Sequence, residues 1–148
     1  MPKGGRLLEF AQGTEGPKVE LEGLWEVGER IVERYGLGDV TVIFVDDARI
    51  VELNRKFLGR DFPTDVLAFD LRDPSPEGPS GEVYVSLERA EEQAREFGVP
   101  YEEEVARLVF HGLLHLAGFE DVTPEGRERM EAEVERYLSV WRKHALED

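Results

Sequence analysis

The chain has 148 residues, 41% of them hydrophobic and none of them cysteine, and its formal net charge is −15. This length predicts a single domain over residues 1–148, and the absence of cysteine excludes disulfides and thiolate metal sites. The sequence contains no apolar run long enough to span a membrane and no signal-peptide core, so we expect a cytoplasmic protein with no membrane partner.

Hydrophobic patterning predicts four strands, the first of them a short edge strand. The predicted strands are residues 6–11, 40–45, 65–69 and 82–85. Residues 40–45 are β-branched and apolar, which indicates a buried strand. Proline, glycine and turn residues predict loops at 59–63 and 73–81.

Helical spacing and capping signals predict five helices. The first carries residues 24–35, the second follows Asp46 or Asp47 and carries Phe57, the third is 87–97 after Ser86, the fourth is 101–117, and the fifth starts at Thr123-Pro124. The resulting order is β-α-β-α-β-β-α-α-α. It predicts an α+β fold with a mixed sheet of about four strands and about five helices packed on it.

The segment 111–121 carries the motif H-x₃-H-x₂-G-x₂-D. His111 and His115 lie on one face of the fourth helix, and Gly118 is suited to end that helix in a left-handed turn. The chain then turns back and presents Asp121 as a third ligand, with Glu120 as the alternative. Three protein ligands and one open position predict a catalytic site for one Zn²⁺ ion.

The residue after the first histidine bears on the reaction. Helical zinc peptidases carry a glutamate there as general base, whereas this chain has Gly112, which disfavours peptide hydrolysis. The remaining histidine, His144, lies in a charged C-terminal stretch and is expected to be a solvated residue near a helix end.

Three ordered segments resemble the motifs of the YbeY family of bacterial rRNA-maturation endoribonucleases. HGLLHLAGFED at 111–121 is similar to H-G-x-L-H-L-x-G-Y-D-H. ELN at 52–54 with GRDFPTDVLAF at 59–69 resembles E-L-N and R-G-K-D-x-P-T-D-V-L-S-F, and GEVYVS at 81–86 resembles L-G-D-I-x-I-S. The motif resemblance spans about residues 40–121.

The resemblance implies a zinc-dependent endoribonuclease that acts on single-stranded rRNA. Its expected roles are maturation of the 3′ end of 16S rRNA and quality control of the ribosome, with the small subunit as partner. It also implies an α+β fold with the metal on the floor of a cleft. The family's third histidine falls on Asp121, which predicts a His₂Asp site of lower net charge.

Arg60 is the candidate catalytic residue. The family's arginine falls on Leu58 and its lysine on Arg60, and a guanidinium near the cleft binds phosphate in a bidentate manner. The alternative is that Arg60 only pairs with Asp61 or Asp65. Asp65 and Glu82 are the candidate general bases. The alternative for both is a purely structural role, Asp65 as a turn residue and Glu82 as a residue at the end of a strand.

Residues 49–60 are the candidate RNA-binding patch, because they contain four basic residues and one acidic residue, a local charge of +3. The predicted RNA-binding residues are Arg55, Lys56 and Arg60. Phe57 or Phe62 would stack on unpaired bases if exposed, although core packing is the favoured expectation for both rings.

Two other functions are compatible with these residues. One is a non-catalytic ribosome-assembly factor whose metal is structural, and the other is a metallohydrolase of a different substrate. The sequence makes no prediction of oligomeric state.

Overall fold

The computed structural model describes residues 7–16, 18–62, 64–71 and 80–147. The strands within these ranges are β1 (Leu8–Gln12), β2 (Val40–Val45), β3 (Val66–Asp70) and β4 (Gly81–Ser86). The helices are α1 (Glu22–Arg34), α2 (Asp47–Leu53), α3 (Leu87–Phe97), α4 (Tyr101–Leu116) and α5 (Pro124–Glu147). The predicted element order and the α+β class are therefore confirmed.

The main difference from the predicted elements lies after α2. The second helix was expected to carry Phe57 as α-helix, but Asn54–Leu58 forms a turn of π-helix that ends at Gly59. Such turns occur in short pieces, often at functional sites. The predicted loop at 73–81 lies outside the described residues up to residue 79, and Gly81 is already the first residue of β4.

Short polar side chains cap the helices where the sequence predicts them. The Asp46 carboxylate accepts a hydrogen bond from the Arg49 N–H at 2.9 Å, which decides between the two candidate aspartates. Ser86 Oγ accepts from the Arg89 N–H at 3.1 Å at the start of α3. Thr123 Oγ1 accepts from the Gly126 N–H at 3.0 Å beside the start of α5.

The four strands form a mixed sheet in the order β1-β2-β4-β3. β1 is parallel to β2, β2 is parallel to β4, and β3 is antiparallel to β4. The first strand is thus an edge strand, as predicted, and β3 is the edge strand on the other side. Residue 6 of the predicted first strand lies outside the described residues.

The sheet has apolar residues on both faces. Val42, Val83 and Val85 are fully buried in a large cluster with residues of α1, α4 and α5. Ile50 and Leu53 of α2 form a smaller cluster with Leu67 and partly buried Tyr84 on the opposite face. Alternate strand residues therefore face different helices, as the two-residue period of a strand requires.

The helix α4 is buried on most of its surface. Its buried apolar residues are Val105, Ala106, Leu108, Val109, Phe110, Leu113, Leu114 and Leu116. Burying each large apolar side chain contributes about 1.5–3 kcal/mol to the stability of the fold. Packing therefore fixes the position of this helix and of the side chains that project from it. Among the described residues, no helix is both long and apolar enough to cross a membrane.

Candidate metal centre and its cleft

Two histidines project from the C-terminal half of α4 into a common cleft. His111 and His115 lie one helical turn apart on one face, and their Nε2 atoms are 3.2 Å apart. Both rings are only partly buried, although the helix around them packs into the core. The core therefore holds the backbone of both residues while their rings stay accessible.

The turn after α4 brings a carboxylate to the two imidazoles. Gly118 has a φ of 104°, and its N–H donates to the His115 carbonyl at 3.0 Å. The Phe119 N–H donates to the Leu114 carbonyl at 3.0 Å, which closes the helix end. The chain then reverses, and Asp121 Oδ2 lies 3.3 Å from His111 Nε2 and 3.6 Å from His115 Nε2.

These three side chains are placed to hold one metal ion. One potential ligand atom from each of His111, His115 and Asp121 lies within 4.8 Å of the other two. Glu120, the alternative third ligand, lines the cleft but does not belong to this group. Burial, and then the proximity of His115, lowers the pKa of His111, which favours the neutral imidazole that binds metals.

The structure gives a packing reason for the glycine between the histidines. A Cβ atom on Gly112 would lie 2.4 Å from Val83 Cγ1 and 3.1 Å from Val66 Cγ2. The position after His111 therefore points toward Val83 and Val66 of the sheet and not into the cleft. A glutamate at this position has no room, so this position cannot supply a general base to the cleft.

The metal group lies in a cleft of about 430 Å³. One wall is the end of α4 with the turn that follows it, a second is the edge strand β3, and a third is the segment from Asn54 to Phe62. Leu58 and Arg60 both line this third wall. Although the arginine stands two residues later than in the family motif, on the other side of Gly59, it still lines the cleft.

Asn54 anchors the segment that carries Arg60. Its backbone carbonyl accepts hydrogen bonds from the N–H groups of Gly59 and Arg60, the latter at 3.2 Å. Its side-chain Nδ2 donates to the Phe62 carbonyl at 2.8 Å, and the side chain is 1% exposed. No pattern in the sequence indicated this role, because it depends on the π turn bringing residues 54 and 62 together.

The alternative prediction for Arg60 was an ion pair with Asp61 or Asp65. Within the described ranges, no carboxylate lies within ion-pair distance of Arg60. Asp61 instead pairs with Arg55, whose Nε lies 2.9 Å from its Oδ1. Arg60 therefore lines the cleft with no carboxylate partner among the described residues, whereas Arg55 is ion-paired with Asp61.

The expected core packing of the two phenylalanines is wrong. Phe57 is 57% exposed and Phe62 is 53% exposed. Phe62 lines the metal cleft, whereas Phe57 and Lys56 line a separate groove on the other face of the sheet. The Lys56 ammonium lies 5.3 Å from the centre of the Phe57 ring. The π turn and the loop after it therefore expose both rings.

The two candidate general bases are in different places. Asp65 lines the metal cleft, and its Oδ2 accepts a hydrogen bond from Gln93 Nε2 at 3.3 Å. Glu82 lines the separate groove and accepts from the Tyr84 hydroxyl at 2.8 Å. Only Asp65 is therefore positioned to act near the metal group.

A polar network behind the cleft was not anticipated from the sequence. Glu104 is 1% exposed and is bound by Arg107, the residue one turn before His111. Arg107 Nη2 donates to Gln93 Oε1 at 3.4 Å, and Gln93 in turn contacts Asp65. The helical spacing of Arg107, His111 and His115 was visible in the sequence, but the partners on other elements were not.

Comparison with known proteins agrees with this geometry. A family model described as Endoribonuclease YbeY matches residues 21–142. A relative in Symbiobacterium thermophilum, named Endoribonuclease YbeY, is 42% identical over an alignment of 147 positions that covers 90% of each chain. A relative of the same name in Thermotoga maritima is 44% identical over 135 residues, covering 86% of this chain and 87% of its own. Another in Salinibacter ruber is 38% identical over 135 residues, covering 84% of this chain and 86% of its own.

A solved structure has the same fold. The solution structure of a Thermotoga maritima protein is 41% identical to this chain, covers 95% of both chains and has a TM-score of 0.62. The family match, the relatives and the cleft with its histidine pair lead to one conclusion: this chain belongs to the YbeY endoribonuclease family.

Proposed function

We propose that the protein is a zinc-dependent endoribonuclease specific for single-stranded RNA. Its role would be maturation of the 3′ end of 16S rRNA on the small ribosomal subunit and quality control of the ribosome, in the cytoplasm. The observation that carries the proposal is the cleft that contains both the His111, His115 and Asp121 group and Arg60, which has no carboxylate partner among the described residues. Residues 1–148 would act as one domain.

One Zn²⁺ ion fits the spacing of the three side chains. Zinc bonds of 2.0–2.2 Å in a tetrahedral site separate neighbouring ligand atoms by about 3.3–3.6 Å. The corresponding separations here are 3.2, 3.3 and 3.6 Å. When bound, the ion supplies a Lewis acid that polarises a phosphate oxygen or activates a water.

The other residues of the cleft would bind the RNA and handle charge and protons. Arg60 would bind the scissile phosphate in a bidentate manner and stabilise the negative charge that develops on it. Asp65, held by Gln93, would accept the proton of the attacking group. Arg55 and Lys56 would add contacts to the RNA backbone. The contribution of Arg55 would be the smaller one because its guanidinium is ion-paired with Asp61.

The test is cleavage of a 16S rRNA 3′-end oligonucleotide, single-stranded or annealed to its complement, with and without a chelator. The variants are His115→Ala and, as a matched control, His144→Ala, which lies in a different pocket of the molecule. We expect the wild type and His144→Ala to bind one zinc ion and to cut only the single strand. We expect His115→Ala to lose both zinc and cleavage.

Two results would contradict the proposal. Cleavage that survives in His115→Ala or in the chelator would point to a contaminating nuclease. A zinc-free protein that unfolds, together with a zinc-bound protein that binds the ribosome but never cuts, would identify the metal as structural and the protein as an assembly factor.

A further inference from the structure

The edge strand β3 forms a wall of the metal cleft. β3 is the last strand of the sheet and pairs only with β4 among the described strands. Residues 64–68 and Asp70 line the cleft. An edge strand presents backbone N–H and C=O groups that have no strand partner, and here they face the place where a substrate would lie.

The register of the β3–β4 pair identifies which backbone groups are free. The Ser86 N–H donates to the Asp65 carbonyl at 3.0 Å, and the Leu71 N–H donates to the Ser80 carbonyl at 2.8 Å. Hydrogen-bonded pairs alternate along antiparallel strands, so odd-numbered residues of β3 direct their backbone groups to β4. Val66 and Ala68 direct theirs to the open edge, where no described residue bonds them.

This edge is held rigidly against the metal helix. The side chains of Val66 and Ala68 pack on the main core, and Val66 Cγ2 is one of the atoms that crowd Gly112. Gly112 is adjacent to His111, so the packing of α4 on β3 sets the distance between the metal group and the free backbone groups. The free donors and acceptors are therefore positioned before any ligand binds.

Each free residue offers an N–H donor beside a C=O acceptor, the same pairing that a nucleobase offers on its Watson–Crick edge. In a duplex that edge is already occupied, whereas in a single strand it is available. Only two residues precede Asp70 on the free edge, which is short for pairing with an added peptide strand. A chain that also carries phosphates would meet Arg60 in the same cleft.

We propose that the free edge of β3, at Val66 and Ala68, binds the Watson–Crick edges of unpaired bases and so selects single-stranded RNA. This inference rests on the proposed function, because it assigns the part of the same cleft that distinguishes unpaired from paired substrate. Phosphate contacts by Arg60 provide affinity for any strand, and the backbone edge supplies the discrimination.

The first test needs no protein variant. Binding of a short oligouridine is compared with binding of the same oligomer made from N3-methyluridine, in which a methyl group blocks the Watson–Crick edge but leaves the phosphates unchanged. Fluorescence anisotropy at low salt measures both, and a gel confirms that the RNA stays intact. We expect the methylated oligomer to bind about tenfold more weakly, since a good bidentate contact discriminates by that order.

The second test removes one free donor. Ala68→Pro deletes an N–H that the β3–β4 ladder does not use, and proline is tolerated at such edge positions. We expect this variant to bind oligouridine about fivefold more weakly and to distinguish the two oligomers less than the wild type does, because Val66 and the carbonyl at position 68 remain. The dependence on salt should be unchanged. Ala68→Ser, which keeps the N–H, is the matched control and should behave as the wild type.

The outcomes separate this inference from the function it rests on. A wild type that binds and cuts RNA but does not distinguish the two oligomers overturns the edge proposal alone. The same holds if folded Ala68→Pro distinguishes them as strongly as the wild type does, or if an extended peptide binds the wild type but not Ala68→Pro and leaves the RNA bound. A wild type that neither binds nor cuts single-stranded RNA overturns the proposed function itself.

Discussion

The two sides of the cleft are built in different ways. His111 and His115 stand on α4, whose neighbouring residues are almost all buried. Arg60 stands on an exposed π turn and loop that Asn54 ties together through hydrogen bonds. The difference suits the roles proposed for these residues, since metal ligands must keep their mutual distances within a few tenths of an ångström, whereas an arginine that binds a phosphate can follow its substrate.

The largest effect is expected from a change on the rigid side. Arg107→Met would leave the buried Glu104 carboxylate without its charged partner. Removing one member of a buried ion pair costs about 3–5 kcal/mol, and because Arg107 is one third exposed we expect about 3 kcal/mol. Urea unfolding measures this loss. The double variant Glu104→Met/Arg107→Met should recover most of the stability, and a single variant as stable as wild type contradicts the buried-pair argument.

A smaller effect is expected where α4 crosses the sheet. Gly112→Ala places a methyl group 2.4 Å from Val83 Cγ1, so the helix must move away from the sheet. Overpacking of this kind costs about 1–3 kcal/mol, and we expect zinc affinity to fall with it because His111 is the neighbouring residue. Thermal unfolding and zinc titration measure the two effects.

The control for this variant is a second substitution that makes room. Val83→Ala in the Gly112→Ala background should restore part of the zinc affinity, so the two changes should be strongly non-additive. Independent, additive losses would show that the close contact is not the cause.

On the exposed side of the cleft, Asn54→Leu should affect catalysis more than stability. The variant removes the hydrogen bond to the Phe62 carbonyl, and Asn54 Oδ1 has no partner in the described part of the chain. We expect a loss of about 1 kcal/mol of stability, unchanged zinc affinity, and RNA cleavage reduced nearly to that of Arg60→Ala. Adding Arg60→Ala should then cause little further loss, whereas a full second loss would show that Asn54 does not position Arg60.

The smallest effect is expected at the exposed ion pair of Arg55 and Asp61, whose side chains are 64% and 75% exposed. Asp61→Asn should change stability by less than about 0.5 kcal/mol. It frees a guanidinium, so RNA affinity should rise at low salt and the salt dependence of binding should steepen by about one phosphate contact. Asp61→Asn/Arg55→Ala serves as the control, and a steep salt dependence retained in it would mean that Arg55 is not the residue released.

Local sequence signals were sufficient for the elements and for the metal group. The helix spacing of His111 and His115, followed by Gly118, fixes their relation within a few residues of chain, and the structure brings Asp121 to them as expected. The alternating strands and the capping residues are equally local. The mixed sheet was predicted because helices and strands are only partly interleaved along the chain, and three helices follow the last strand.

What the sequence by itself determined is therefore whatever depends on residues close in the chain: the order of elements, the α+β class, and the convergence of two imidazoles and one carboxylate. Tertiary structure alone decided that Gly112 faces the sheet, that Phe57 and Phe62 are exposed, that Arg60 has no carboxylate partner among the described residues, and that β3 lines the same cleft as the metal group. Each of these depends on which distant elements pack together, and pairs distant in sequence leave no periodic pattern in a single chain.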